Sequence, residues 1–203
     1  MKRKLIQAAL FSGLLAAGTA QAAGPTGQAL SFTCAGCHGF NGVSAGPASP
    51  SLAGLPKEFF IDAMVGYQDG TRPATVMDRI AKGYSEEEIK LMAEFFAAQD
   101  YVPAKQDFDA AKVAQGQRIV ERRRSCGTCH EESGTFGIED LPQIAGQWTP
   151  YVLYSLEDFR EHGRPMSDDK ARQVEGLSAS DIEAVAAYLA SMQDPKQYKH
   201  EEY

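Results

Sequence analysis

The sequence predicts an all-α protein made of two copies of one unit in tandem, and three observations carry that prediction. A series of landmarks in the first half returns 92 positions later in the same order, and self-similarity at a fixed offset marks a duplicated structural unit. Each copy closes with an amphipathic segment introduced by a helix-capping pattern. Neither copy contains a convincing run of alternating strand residues.

Residues 1–22 read as an export signal. Lys2, Arg3 and Lys4 precede a mostly apolar run from Leu5 to Ala17, and Ala20-Gln21-Ala22 fits an A-x-A cleavage site. The run is too short for a comfortable membrane span. No second apolar stretch approaches bilayer length, so the mature chain is expected to be exported and soluble, with no membrane span. In a Gram-negative source that places it in the periplasm. The first unit is expected over 23–100 and the second over 110–195, joined by a linker at 101–109 that contains Pro103. Residues 196–203 form a polar C-terminal tail.

Within the units, Thr26 to Thr33 and Lys112 to Arg124 are each predicted to form an opening helix. Leu52-Ala53-Gly54, Phe59, Tyr67 and Arg72-Pro73 recur as Ile144-Ala145-Gly146, Tyr151, Phe159 and Arg164-Pro165. The offset then becomes 93, pairing Gly83-Tyr84-Ser85 with Gly176-Leu177-Ser178. The closing helix starts at Ser85 with Glu88 three residues on, and at Ser178 with Asp181. Both are capping-box patterns. Its buried stripe is Ile89, Met92, Phe95 and Phe96 in one copy, and Ile182, Val185, Tyr188 and Leu189 in the other.

Between the opening helix and these landmarks lies the chemistry. Cys34-Ala35-Gly36-Cys37-His38 recurs as Cys126-Gly127-Thr128-Cys129-His130, and the two copies use all four cysteines of the chain. C-x-x-C-H is the attachment signature of c-type haem. The thiols Cys34, Cys37, Cys126 and Cys129 add to the vinyl groups, and His38 and His130 are placed as proximal iron ligands. A thioredoxin-like pair would need a βαβ context that neither motif has. A four-cysteine zinc site brings its two pairs together over a loop of roughly 15–20 residues, whereas these pairs lie far apart and each has its own histidine. Two covalent haems imply transfer of single electrons. A unit of roughly 75–80 residues is marginal on its own side chains, so the haem is also core, and the apo-protein is expected to fold poorly.

The chain holds 20 basic and 27 acidic residues, a formal charge of −7. Removing the signal takes this to about −10. Nucleic acid and anionic membrane surfaces are therefore not expected as partners. A partner with a basic docking face suits such a carrier.

The pattern around each motif resembles class I cytochromes c, which implies two tandem domains of that type, each a few short helices around a covalently attached haem. Pro50 and Pro142 each fall twelve residues after the proximal histidine. The resemblance implies that their carbonyls accept the other ring nitrogen, a bond that fixes ring orientation and tunes ligand basicity. It also implies a methionine as sixth ligand, and Met77 and Met166 occupy equivalent loops that begin Arg-Pro. Met64 and Met92 align with Leu156 and Val185 and read as core, and Met192 lies near the end of the last helix. His162 rivals Met166; in a polar loop a histidine is more often solvated. Arg122-Arg123-Arg124, unmatched in the first unit, could neutralise haem propionates or form a docking patch, or be a solvated helix end. Trp148, the only tryptophan, could line an inter-subunit or inter-domain contact or pack in the core.

The intervening segments resemble the dihaem cytochrome subunit of flavocytochrome c sulfide dehydrogenase along nearly the whole mature sequence. They include Gly46-Pro47-Ala48-Ser49-Pro50-Ser51, Arg79-Ile80-Ala81-Lys82-Gly83-Tyr84-Ser85, Pro103-Ala104-Lys105-Gln106, Ala145-Gly146-Gln147-Trp148-Thr149-Pro150-Tyr151 and Asp158-Phe159-Arg160-Glu161. That resemblance implies a separate FAD-containing flavoprotein that oxidises sulfide, with this chain relaying electrons to a small soluble cytochrome c. The absence of a G-x-G-x-x-G fingerprint agrees with flavin belonging to another polypeptide. The alternatives are a freestanding dihaem carrier to a terminal oxidase, and a haem-catalysed thiosulfate dehydrogenase or peroxidase. The last would need an unusual ligand or an open iron position, so no catalytic residue is expected here.

Overall fold

The computed structural model describes residues 24–122, 126–137 and 139–198, without the side chains of 131 and 133. The export signal, Arg123, Arg124 and the end of the tail lie outside the described residues. Every regular element among those described is helical.

The first half contains α1 (Gly27–Ser31), α2 (Ala35–His38), α3 (Lys57–Asp69), α4 (Met77–Ile80) and α5 (Glu86–Ala97). The second contains α6 (Ala110–Glu121), α7 (Cys126–Cys129), α8 (Glu131–Gly134), α9 (Thr149–Glu161), α10 (Asp168–Val174) and α11 (Ala179–Ser191). No helix among the described residues is long and apolar enough to cross a membrane.

Local chemistry sets the ends. Ser85 accepts from the Glu88 N–H while the Glu88 carboxylate accepts from the Ser85 N–H, and Ser178 and Asp181 repeat the arrangement. Each box satisfies two donors that a helix start leaves open. The opening helices are shorter than the sequence suggests. Thr26 caps α1 through the Ala29 N–H, and Asp109 caps α6 through the Ala111 N–H, which starts α6 two residues early.

Burial follows the repeat. Phe60, Met64, Ala81, Ile89, Met92, Ala93 and Phe96 form one core cluster; Val120, Ala145, Val152, Val185, Tyr188 and Leu189 belong to the other. In both halves the opening helix crosses the closing helix at a glycine. A β-carbon on Gly27 would overlap the Leu91 carbonyl, and one on Gly116 would overlap that of Ala184. Only glycine allows backbones so near.

Segment 101–109 carries no helix, yet it is bonded to the second half. Tyr101 donates its hydroxyl to Ala145 O (2.8 Å) and Ala104 its N–H to Gly146 O (2.7 Å). Gln106 donates to Gln147 O and accepts from the Thr149 N–H, both at 2.8 Å.

Candidate functional site

Each C-x-x-C-H motif folds as a single helical turn, closed by the histidine N–H on the first cysteine carbonyl, at 2.9 Å for His38 and 2.8 Å for His130. This places Cys34 half-buried and Cys37 exposed, with Cys126 and Cys129 repeating the pattern. Burial raises the Cys34 and Cys126 thiols above their ordinary values. None of the four cysteines is paired in a disulfide. No three histidine, cysteine or acidic side chains converge on a metal-sized site among the described residues.

The His38 side chain, 8% exposed, points inward. Its Nδ1 lies 2.8 Å from Pro50 O, and His130 Nδ1 lies 2.8 Å from Pro142 O. A carbonyl only accepts, so Nδ1 carries the proton and Nε2 keeps a free lone pair. Burial lowers the pKa of both imidazoles, that of His130 to about 4. Neutral imidazole with a fixed tautomer is the form that binds iron. The donor set therefore fits haem in both halves.

Met77 opens α4 and lies half-buried against the first core cluster. Met166 is half-buried in the short connection before α10, one residue ahead of the cap Ser167. Met64 and Met92 are core residues, and Met192 packs on the second cluster. His162 is 53% exposed at its side chain, with Nδ1 3.1 Å from Asp158 Oδ1, in the solvated place that its polar loop implies.

A cation group, not assigned a role from sequence, lies at the junction of the halves. Arg72 is 9% exposed, stacks over Tyr67 (4.8 Å) and Phe59 (5.4 Å), and donates to Tyr151 Oη at 3.4 Å. Arg164 lies over the Phe159 ring at 4.2 Å, and Lys170 at 3.5 Å. Burial and the neighbouring Arg164 and Arg72 lower the Lys170 pKa to about 7. Among the described residues no carboxylate pairs with these three. A buried cation such as Arg72 requires an anion, and haem propionates would supply that chemistry. The Arg-Pro pairs are visible in the sequence as repeat markers; the burial of Arg72 is not. Arg122 is exposed.

The halves meet through side-chain amides. Gln147 bonds both the N–H and the carbonyl of Ser51, Gln143 donates to Gly54 O (2.7 Å), and Trp148 donates to Ser44 O (3.3 Å). Trp148 lies across the backbone of Gly46, whose φ is +87° and whose β-carbon would sit 2.7 Å from the ring. Of its two roles, contact between the domains is the one observed.

Over 205 aligned residues the chain is 31% identical to cytochrome c4 of Pseudomonas aeruginosa, covering 95% of this chain and 100% of that one. The chain belongs to the cytochrome c4 family. As a member it is a dihaem cytochrome c electron-transfer protein. The crystal structure of reduced recombinant cytochrome c4 from Pseudomonas stutzeri superposes with a TM-score of 0.72 at 26% identity, covering 81% of this chain and 95% of that chain. The architecture is thus that of two class I cytochrome c domains in tandem. The family described as cytochrome c oxidase, cbb3-type, subunit III matches residues 111–189. The cytochrome subunit of sulfide dehydrogenase from Chlorobaculum tepidum is 47% identical over 70 residues, covering 34% of this chain and 63% of that protein. That likeness, expected along nearly the whole mature chain, is found over about one repeat unit, whereas cytochrome c4 of Pseudomonas aeruginosa aligns throughout.

Proposed function

We propose that this member of the cytochrome c4 family is a freestanding periplasmic carrier that passes single electrons through two haems to a terminal oxidase. The observation that carries this reading is the end-to-end correspondence with cytochrome c4. The match of residues 111–189 to an oxidase subunit family supports an oxidase as destination, and the N-terminal leader supports export.

In this proposal Cys34 and Cys37 tether one haem, and Cys126 and Cys129 the other. His38 and His130 are the proximal iron ligands, held by Pro50 and Pro142. Met77 and Met166 are the sixth ligands; a thioether opposite histidine favours ferrous iron and raises the potential. Arg72, Arg164 and Lys170 pair with propionates. When bound, haem supplies the one-electron chemistry. The chain itself orients the imidazoles, excludes water and fixes the two sites in one body.

A second reading is favoured by the identity to the sulfide dehydrogenase subunit. Here an FAD-containing partner oxidises sulfide and this chain hands the electrons to a small soluble cytochrome c. Gentle purification of the native protein, with visible spectra before and after adding sulfide, separates the two. The carrier reading expects a haem protein without flavin and without response to sulfide. A flavin-containing chain that co-purifies and is reduced together with haem overturns it.

A further inference from the structure

One peptide group in the first half has its two polar ends engaged on opposite sides of the domain boundary. Its carbonyl, Pro50 O, lies 2.8 Å from His38 Nδ1. Its N–H, on Ser51, donates to Gln147 Oε1 of the second half at 3.0 Å. Gln147 returns Nε2 to Ser51 O at 2.9 Å, so its amide is held at both ends. Imidazole, peptide and side-chain amide thus form one line of hydrogen bonds. Ser51 is 1% and Gln147 4% exposed, which keeps water from competing.

Such a line is polarised along its length. A peptide whose N–H donates has a more negative carbonyl, and bonds in series strengthen one another. A stronger acceptor at Nδ1–H makes Nε2 a more basic ligand. A more basic ligand stabilises ferric over ferrous iron.

Among the described residues the second half has no mirror image of this arrangement. The repeat counterpart of Gln147 is Leu55, whose side chain carries no polar atom. Gln143, which follows Pro142, reaches the first half with its side chain, donating Nε2 to Gly54 O. Both proximal sites therefore adjoin the interface, but the polarising amide is present at one.

We propose that Gln147 is a positioning residue for His38. Acting from the other domain through the Pro50–Ser51 peptide, it makes His38 the more basic of the two proximal ligands and lowers the potential of the first haem. This rests on His38 as an axial ligand, as proposed above.

The test uses the full-length holoprotein with Gln147→Met, which keeps length and removes the amide. Gln147→Leu, the residue of the repeat counterpart, serves if the first variant folds poorly. Gln143→Leu is the control, since it removes an interface bond that does not touch the His38 peptide. Each haem is followed by NMR through a redox titration, together with the ring protons of His38 and His130.

Expected for the Gln147 variants is a weaker hydrogen bond at His38 Nδ1–H and an easier reduction of the first haem. The size is roughly two- to fivefold in its reduced-to-oxidised ratio at fixed potential. The second haem keeps its potential, and Gln143→Leu leaves the first haem unmoved. An unmoved first haem in the Gln147 variants, or an equal shift in Gln143→Leu, overturns the proposal. Failure of the ligation reading looks different: in the unaltered protein the His38 ring protons would show no paramagnetic shift on oxidation.

Discussion

Gly116 lies against the Ala184 carbonyl so closely that a β-carbon at position 116 would overlap the oxygen. This contact fixes how α6 crosses α11, as Gly27 against Leu91 fixes α1 on α5. Gly116→Ala must push two backbones apart, and overpacking of this kind costs about 1–3 kcal/mol. Denaturant unfolding should show a lower midpoint with unchanged slope. Gly83→Ala, at a glycine whose β-carbon would meet nothing within 4 Å, should leave the midpoint unchanged or raise it slightly.

Met77→Ala and Met166→Ala are each expected to remove half of the red charge-transfer absorption of methionine-ligated ferric haem and to lower one potential. His162→Ala should leave both intact, because its ring is exposed and bonded to Asp158. Loss of that absorption in the His162 variant would transfer the ligand role to it.

Arg72 stands buried over Tyr67 and Phe59 without a carboxylate partner among the described residues. A cation near a haem disfavours the extra positive charge of ferric iron. Arg72→Gln is therefore expected to lower a haem potential, and Arg164→Gln to do likewise, with folding retained. Spectroelectrochemical titration reads both. A rise, or no change in either variant, would remove the pairing with propionates.

The capping carboxylate Asp181 has a pKa held below its ordinary value, chiefly by the Ser178 hydroxyl and then by the Ser178 N–H. A depressed folded value means that the stabilisation is complete above the unfolded pKa and fades as pH falls through the folded one. Asp181→Asn should thus destabilise the protein at neutral pH and differ progressively less from the unaltered chain as acid is added. Equal differences at every pH, seen in urea melts, would contradict this origin.

What the sequence disclosed depended on the range of the interaction. Ser85 with Glu88 and Ser178 with Asp181 are three residues apart, so their helix starts could be read directly. His38 with Pro50 spans twelve residues and could be read only through resemblance and repetition. Gln147 and Ser51 are 96 positions apart, and Leu55 at the equivalent place breaks the repeat. Nothing local marks such a pair. Gly27 and Gly116 look unremarkable until the crossing helix is known. Arg72 and Arg164 were legible as duplicated landmarks, but the burial of Arg72 against Tyr151 arises from how the halves meet. Pro103 signalled the lack of helix at 101–109, yet the attachment of Tyr101 and Gln106 to the second half is a tertiary fact.

That attachment determines what kind of machine the chain is. A slack tether would let the halves swing, and exchange between the haems would wait on collision and slow in viscous media. With Tyr101, Ala104 and Gln106 anchored and Gln147 gripping Ser51, the separation of the two C-x-x-C-H sites is set by folding. Electrons passing between haems held at the two motifs would then cross a constant gap, at a pace governed by tunnelling and driving force and indifferent to the stirring of the surroundings.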